Sequence, residues 1–126
     1  SVILLLKAGN KSLLFPGDAQ LENWQYALQS QLAPMLDQVD LYKVGHHGSL
    51  NATPKTTLWE RFTRRGHGLQ AAVSTLKGVH GGKHGQPTEV PRTTLMTAPR
   101  DGPAPLVTTE DLPQEAGRFT EIAIDV

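Results

Sequence analysis

The sequence predicts an α/β fold in which helices cover one face of a mixed β-sheet. Short apolar runs that suit strands alternate with longer segments in which apolar residues recur every three or four positions, the spacing of an amphipathic helix. Only a turn at residues 8–11 separates the first two apolar runs, which predicts a hairpin, whereas helical patterns separate later runs. With 126 residues, the chain has the length of one domain, or of one part of a larger domain.

The first part of the chain is expected to hold three strands and one helix. Residues 2–7 are continuously apolar, which predicts a strand buried on both faces, and residues 12–15 predict its hairpin partner. The helix has an apolar stripe made of Leu21, Trp24, Leu28 and Leu32. We expect Trp24 in the core, the end of the helical pattern at Pro34, and a third strand over residues 41–44.

A second helix and a fourth strand are expected next. Thr53 and Pro54 suit the N-cap and the first position of this helix, and Gly66 ends it. Three arginines near its end suit the negative end of the helix dipole. The helix has an apolar face made of Leu58, Trp59 and Phe62. Residues 69–75 are small and β-branched, which predicts the fourth strand.

The last third of the sequence is the most irregular. Residues 77–87 contain four glycines, which predict a poorly ordered loop, although His80 and His84 leave a metal-binding role open. A short helix is expected over residues 88–97 and a loop over residues 99–105. Residues 106–109 predict a short strand, and the period-two pattern of residues 119–126 predicts another, with Ile122, Ile124 and Val126 on one face.

Composition excludes little about function. Twelve basic and twelve acidic residues give a formal charge of zero, which argues against tight binding of duplex nucleic acid by a basic surface. The chain has no cysteine, and therefore neither a disulfide framework nor a thiolate site. No apolar stretch reaches the roughly 20 residues that span a bilayer. We therefore expect a soluble chain.

Residues with the chemistry of a metal site follow two of the predicted strands. Asp18 comes after an apolar run and a Pro-Gly break, and His46 and His47 come directly after the glycine that ends the run at residues 41–44. A strand holds such a residue still, while the loop keeps it exposed. A carboxylate and an imidazole from adjacent strands suit a hydrolytic metal centre, because the carboxylate supplies charge and the imidazole stays neutral.

Simpler interpretations of the same residues stay open. Neighbouring histidines on a surface loop are more often solvated than bound to a metal. Asp18 could cap the helix that follows it, and Ser49 could serve only to close its loop. Together these interpretations predict a metal-free binding or structural domain.

The segments Phe15-Pro16-Gly17-Asp18-Ala19 and Leu41-Tyr42-Lys43-Val44-Gly45-His46-His47-Gly48-Ser49 resemble the last two metal-binding motifs of the metallo-β-lactamase fold, in particular those of ComEC-type DNA-uptake proteins. The resemblance implies that Asp18 bridges two metal ions, that His46 completes the shell of one ion, and that His47 acts on the substrate, although the two histidines could exchange roles. It implies two divalent ions, zinc or manganese, in the full-length protein. It also implies hydrolysis of a phosphodiester or another ester by a metal-activated water.

The resemblance covers only part of that fold. The His-x-His-x-Asp-His cluster of the family is absent, since the five histidines are His46, His47, His67, His80 and His84. Residues 1–126 therefore resemble the C-terminal half of an αββα sandwich, whose upstream half would be the partner of this chain. We expect the separate chain to be inactive, the full-length protein to act in the bacterial cytoplasm, and donor atoms of Asp18 and His46 to lie within about 5 Å of each other.

Overall fold

The structure is a computed structural model that describes residues 1–49, 51–76, 106–113 and 120–126. In these residues, five strands form one sheet in the order β1-β2-β3-β4-β5. The strands are β1 (Leu4–Ala8), β2 (Lys11–Phe15), β3 (Leu41–Lys43), β4 (Gln70–Val73) and β5 (Leu106–Thr108). β1 is antiparallel to β2, and each later strand is parallel to its neighbour. The prediction of an α/β fold with a mixed sheet is therefore confirmed.

The predicted hairpin is confirmed, but the burial predicted for its first strand is wrong. Leu5 pairs with Leu14, which is fully buried, and Leu5 packs against the core. Leu4 and Leu6 point to the other face and are each 46% exposed. β1 is an edge strand, and the exposure of Leu4 and Leu6 shows that the sheet face opposite Leu5 is only partly covered at this strand.

Helix α1 (Leu21–Gln29) is shorter than the sequence predicts. Trp24 is fully buried, as expected. The helix ends before Pro34 because both the N–H and the hydroxyl of Ser30 donate to the carbonyl of Ala27, at 3.2 and 2.7 Å. Leu32 therefore lies outside the helix and is 59% exposed, and a 3₁₀ turn follows at Ala33–Leu36.

The second predicted helix is an irregular set of turns that includes a 3₁₀ turn at Trp59–Arg61. Thr53 is not its N-cap, because this buried hydroxyl lies 2.6 Å from the hydroxyl of Tyr42 instead. The carbonyl of Pro54 accepts from the N–H groups of both Leu58 and Trp59, which departs from regular α-helical hydrogen bonding. The predicted apolar face is confirmed by the burial of Leu58, Trp59 and Phe62.

Two of the three arginines near this segment form ion pairs, so the helix-dipole interpretation is wrong for them, whereas Arg65 donates to the backbone carbonyls of Phe62 and Glu60. Arg61 pairs with Asp37, and Arg64 donates to the buried carboxylate of Asp40 at 2.6 Å. Without a regular helix, there is no aligned dipole at this position for an arginine to stabilise.

The core lies on one face of the sheet. Tyr42 of β3 is fully buried, and its ring lies 5.1 Å from that of Phe62 and 6.4 Å from that of Trp59. The cluster of buried apolar residues consists of Leu14, Ala19, Trp24, Leu36, Val39, Tyr42, Val44, Leu58, Trp59, Phe62, Leu69 and Val73. It joins the sheet to α1 and to the 3₁₀ turns, which are thereby fixed relative to the strand ends.

The fourth and fifth predicted strands are confirmed as β4 and β5, whereas the strand predicted over residues 119–126 is not found in its described part, 120–126. Ile122 and Ile124 are half-buried there and their neighbours are exposed, but Val126 is 74% exposed. An extended segment can alternate in burial without pairing to a strand. The predictions for residues 77–87, 88–97 and 99–105 lie outside the described residues, and no helix among the described residues could cross a membrane.

Candidate functional site

The predicted site residues lie where parallel strands end at one edge of the sheet. Asp18 follows the end of β2, and His46 and His47 follow the end of β3. Ser74 follows the end of β4. Because β2, β3 and β4 are parallel, their carboxyl ends meet at the same edge. This edge is the usual position for ligands in open α/β sheets.

The loops after β2 and β3 touch each other through their backbones. The N–H of His46 donates to the carbonyl of Gly17 at 3.3 Å, which brings the residue next to Asp18 into contact with the histidine pair. Gly45 makes this approach possible, since a Cβ there would lie 2.7 Å from the same carbonyl oxygen and 3.1 Å from Cγ of Pro16. Any side chain at Gly45 would push the two loops apart.

The histidine pair lies in a left-handed turn at His46–Gly48. The backbone φ angles are +44° at His46, +53° at His47 and +82° at Gly48. A positive φ at a residue other than glycine costs on the order of 1 kcal/mol or more, and two in succession are rare. Hydrogen bonds from Gly48 N–H to the Gly45 carbonyl and from Ser49 N–H to the His46 carbonyl hold the turn, each at 3.0 Å.

Two side chains contact the same ring nitrogen of His46, which is half-buried. Its Nδ1 lies 3.1 Å from Oγ of Ser49 and 3.4 Å from Nε2 of Gln20. Gln20 is the N-cap of α1, so the start of this helix packs directly against the histidine. These contacts leave the opposite nitrogen, Nε2, to point away from Gln20 and Ser49.

The exposed side chain of His47 is oriented by the backbone after β4. Its Nδ1 lies 3.0 Å from the carbonyl oxygen of Ser74. A carbonyl oxygen only accepts hydrogen bonds, so Nδ1 carries the hydrogen and Nε2 is the basic nitrogen of the neutral ring. Metal-bound and proton-accepting histidines commonly have this arrangement, in which the other ring nitrogen donates to a carbonyl.

Asp18 is exposed and does not cap the helix, so the capping interpretation is wrong. The N-cap of α1 is Gln20, whose N–H is accepted by Oδ1 of Asn23 at 3.0 Å. Asp18 interacts electrostatically with Lys43, at the end of β3. Burial lowers the pKa of Lys43, and the nearby charge of Asp18 partly opposes this shift.

The loop after the histidines is anchored to the core. Nε1 of Trp24 donates to the carbonyl of Ala52 at 2.8 Å, and the hydroxyl of Tyr42 lies 2.6 Å from that of Thr53. Burial raises the pKa of Tyr42 well above its usual range, and its hydrogen bonds oppose this shift only in part. Because Tyr42 stays neutral, it holds the loop by hydrogen bonding without a buried charge.

Asp18, His46 and His47 have side chains that commonly bind metal ions, but they do not form a complete set of metal ligands. A carboxylate and imidazoles are the ligands that zinc and manganese accept. Within the described residues, however, no group of three or more histidine, aspartate or glutamate side chains could hold one ion. The described part of the chain therefore supplies an incomplete set of donors.

Three polar residues of this edge were not singled out from the sequence as site residues. Gln20 contacts His46, Ser74 contacts His47, and Lys43 interacts electrostatically with Asp18. Of these three residues, only Lys43 is close in sequence to the histidines. A position directly after a strand is a signal that could have identified Ser74, and the N-cap position could have identified Gln20. Both signals are too common to identify a site residue unless the order of the strands in the sheet is known.

Comparison with protein-family models, with curated proteins and with solved structures found no match to this chain. The likeness to the metallo-β-lactamase fold accordingly depends on the two motifs around Asp18 and His46.

Proposed function

We propose that this chain is the ligand-bearing C-terminal part of a metal-dependent hydrolase with a metallo-β-lactamase-like αββα sandwich, which cleaves a phosphodiester or another ester. The observation that carries the proposal is the contact between the Asp18 loop and the His46 loop at the carboxyl edge of parallel strands. Both loops also carry the motifs that resemble the family.

The proposed roles follow from how each side chain is held. Asp18 and His46 would bind the metal, because Asp18 is an exposed carboxylate and His46 is held by contacts at Nδ1. When bound, two zinc or manganese ions supply a water of lowered pKa and stabilise the developing oxyanion. His47 accepts or donates a proton through Nε2, since its Nδ1–H is committed to Ser74.

The backbone strain at the histidine pair supports a functional role. Two non-glycine residues with positive φ persist only where the surrounding structure enforces them, and such residues concentrate at functional sites. A purely solvated loop gains nothing from a left-handed turn at His46 and His47. The strain therefore favours the metal site over the solvated pair.

The missing ligands would come from an upstream half of the same fold, because the described residues supply an incomplete donor set. Leu4 and Leu6 support such a partner, because each exposes nearly half of its side chain on the face of the sheet opposite Leu5. An additional layer on this face would bury both. The upstream half would then be expected to carry His-x-His-x-Asp-His, which the sequence of the full-length protein reveals directly.

A metal-free binding or structural domain is the second candidate. The absence of a group of three donors among the described residues favours it. This candidate requires no His-x-His-x-Asp-His stretch upstream and predicts no metal in the purified full-length protein.

The test measures metal content and hydrolysis of an activated phosphodiester and an activated carboxylic ester by the full-length protein with zinc or manganese. Asp18→Asn and His46→Gln should each lower turnover at least about 100-fold and lower the metal content, because each removes a donor. His47→Gln should lower turnover and leave the metal content unchanged.

Matched controls are Asp125→Asn and His67→Gln. Both residues are exposed; His67 precedes β4, and Asp125 lies near the β1–β2 turn, so both are at the opposite edge of the sheet. They should retain turnover within about twofold, as is usual for surface changes. Full activity of Asp18→Asn, or a metal-free and inactive full-length protein, would contradict the proposal.

A further inference from the structure

The two histidines of the turn are held in chemically different ways. Nδ1 of His47 faces a backbone carbonyl, which can only accept, so the position of its hydrogen is fixed. Nδ1 of His46 faces the side-chain amide of Gln20 and the hydroxyl of Ser49. Both of these groups can either donate or accept, so the structure around His46 permits two tautomers.

The orientation of the Gln20 amide decides between these tautomers. With Nε2 of Gln20 towards the ring, at 3.4 Å, the amide donates and Nδ1 of His46 accepts, which puts the ring hydrogen on Nε2. Half a turn of the amide gives up the capping-box contact of its oxygen with the N–H of Asn23. The oxygen then accepts from Nδ1–H of His46, and Nε2 of His46 becomes the basic nitrogen. The Ser49 hydroxyl can rotate to suit either state.

Gln20 is well placed to make this selection because its backbone is fixed. Its N–H donates to Oδ1 of Asn23, and its carbonyl accepts from Trp24 N–H, both at 3.0 Å. Glutamine is not a preferred N-cap residue, since serine, threonine, aspartate and asparagine satisfy the helix start better. Its side chain takes part in a capping box with Asn23 and also extends to His46.

We infer that Gln20 is a positioning residue that selects which nitrogen of His46 carries the hydrogen. In one orientation of the Gln20 amide, Nε2 of His46 carries the hydrogen and donates a hydrogen bond; in the other, Nε2 of His46 is free of hydrogen and can bind a metal ion. The inference rests on the proposed function for its biological meaning. The tautomer of His46 is a property of the metal-free chain and can be measured without any metal or substrate.

The experiment records ¹⁵N NMR spectra of the two rings in the metal-free 126-residue chain at about pH 9, well above the reference imidazole value of about 6.5. In the unsubstituted chain, Nδ1 should carry the hydrogen at His47, and Nε2 should carry it at His46. Gln20→Glu presents only acceptor oxygens, so it should shift the His46 tautomer ratio towards Nδ1–H by about tenfold, as a charge-assisted hydrogen bond predicts.

Two controls separate selection from general perturbation. Gln25→Glu adds the same charge on an exposed position of α1 and should leave the ratio unchanged. Ser49→Ala removes the other Nδ1 partner, and the ratio should stay within about twofold because the hydroxyl suits either tautomer. The His47 ring should keep Nδ1–H throughout, and dispersed amide spectra report that each variant is folded.

An equal His46 tautomer ratio in the unsubstituted chain and in folded Gln20→Glu would overturn the inference, even if the full-length protein hydrolyses esters. A shifted ratio supports it, even if the full-length protein binds no zinc. In that second case the proposed function fails, and the role of Gln20 in setting the His46 tautomer stands.

Discussion

Tyr42 shows how one buried hydroxyl anchors the candidate site. It sits in the strand that delivers the histidines, and it contacts Thr53 in the loop that follows them. Its ring also packs against Phe62. The same residue thus joins the core, the strand and the site loop, and its side chain is fully buried.

Tyr42 also makes stability sensitive to alkaline pH. Burial raises its folded-state pKa above the ordinary value of about 10, so the unfolded chain ionises first. Its contribution to stability is fully present below about pH 10 and is lost as the pH rises towards the raised pKa. Above about pH 10, the free energy of unfolding should fall by up to about 1.4 kcal/mol per pH unit more than in Tyr42→Phe.

Urea unfolding between about pH 8 and pH 11 measures this difference. Tyr26→Phe is the matched control, because the Tyr26 side chain is 81% exposed and should leave the pH dependence unchanged. Identical alkaline slopes for Tyr42→Phe and the unsubstituted chain would show that Tyr42 ionises normally.

Gly45→Ala should destabilise the chain by about 1–3 kcal/mol, the usual cost of overpacking. The new Cβ would lie only 2.7 Å from the Gly17 carbonyl oxygen, so the two site loops must separate. Urea unfolding gives the energy, and the amide shifts of Gly17 and His46 report the separation. Gly68→Ala is the comparison, because its Cβ would enter open space at a φ of +106° and so measures backbone strain alone.

At the level of elements, the amino ends of three strands are joined by Asp40, at the edge opposite the site. Its backbone exchanges hydrogen bonds with Ser12 and Gln70, and its carboxylate accepts from the N–H of Ser12 at 2.9 Å. Arg64 at 2.6 Å and Lys11 at 3.6 Å balance its charge. The backbone of Asp40 therefore joins β2, β3 and β4, and its carboxylate adds a hydrogen bond to β2 and the pairs with Lys11 and Arg64.

Asp40→Asn should lower the free energy of unfolding by about 1.5–3 kcal/mol, because the side chain is 4% exposed and loses charge-assisted bonds. Asp37→Asn is the matched control. Its pair with Arg61 is about one-third exposed, so we expect a loss of about 0–1 kcal/mol. Chemical denaturation of both variants decides the matter, and equal losses would mean that burial of Asp40 adds nothing.

Strands and helices were predicted best where a single local pattern, such as a short apolar run ended by glycine, determines the structure. The runs that became β2 and β3 are short, apolar and ended by Pro-Gly or glycine, so their existence and order follow from local pattern. Helix length was predicted less well, because Ser30 ends α1 through its own hydrogen bonds before Pro34 is reached. The turns after Thr53 depend on Tyr42, a contact that no local pattern contains.

At the level of the whole molecule, the incomplete donor set among the described residues predicts that the 126-residue chain alone does not hydrolyse phosphodiesters or esters, even with zinc or manganese. A catalytic zinc usually keeps three protein ligands, and each missing donor lowers affinity directly. Addition of the upstream half should restore turnover, and Asp18→Ala in the longer protein should abolish it. Turnover by the short chain that is lost with a chelator and with His46→Ala would show that it assembles a complete site alone.

The sequence by itself determined the mixed α/β sheet, the hairpin, the core position of Trp24 and the candidate residues Asp18, His46 and His47, because periodicity and glycine breaks are local signals. Only the tertiary structure decided that β1 is an exposed edge, that the loops of Asp18 and His46 touch, and that Gln20 and Ser74 orient the histidines. These contacts join residues far apart in the sequence: His47 and Ser74 are 27 positions apart, and Gly17 and His46 are still further apart. They arise from strand order and from packing, which act across the chain and leave no periodic trace in it.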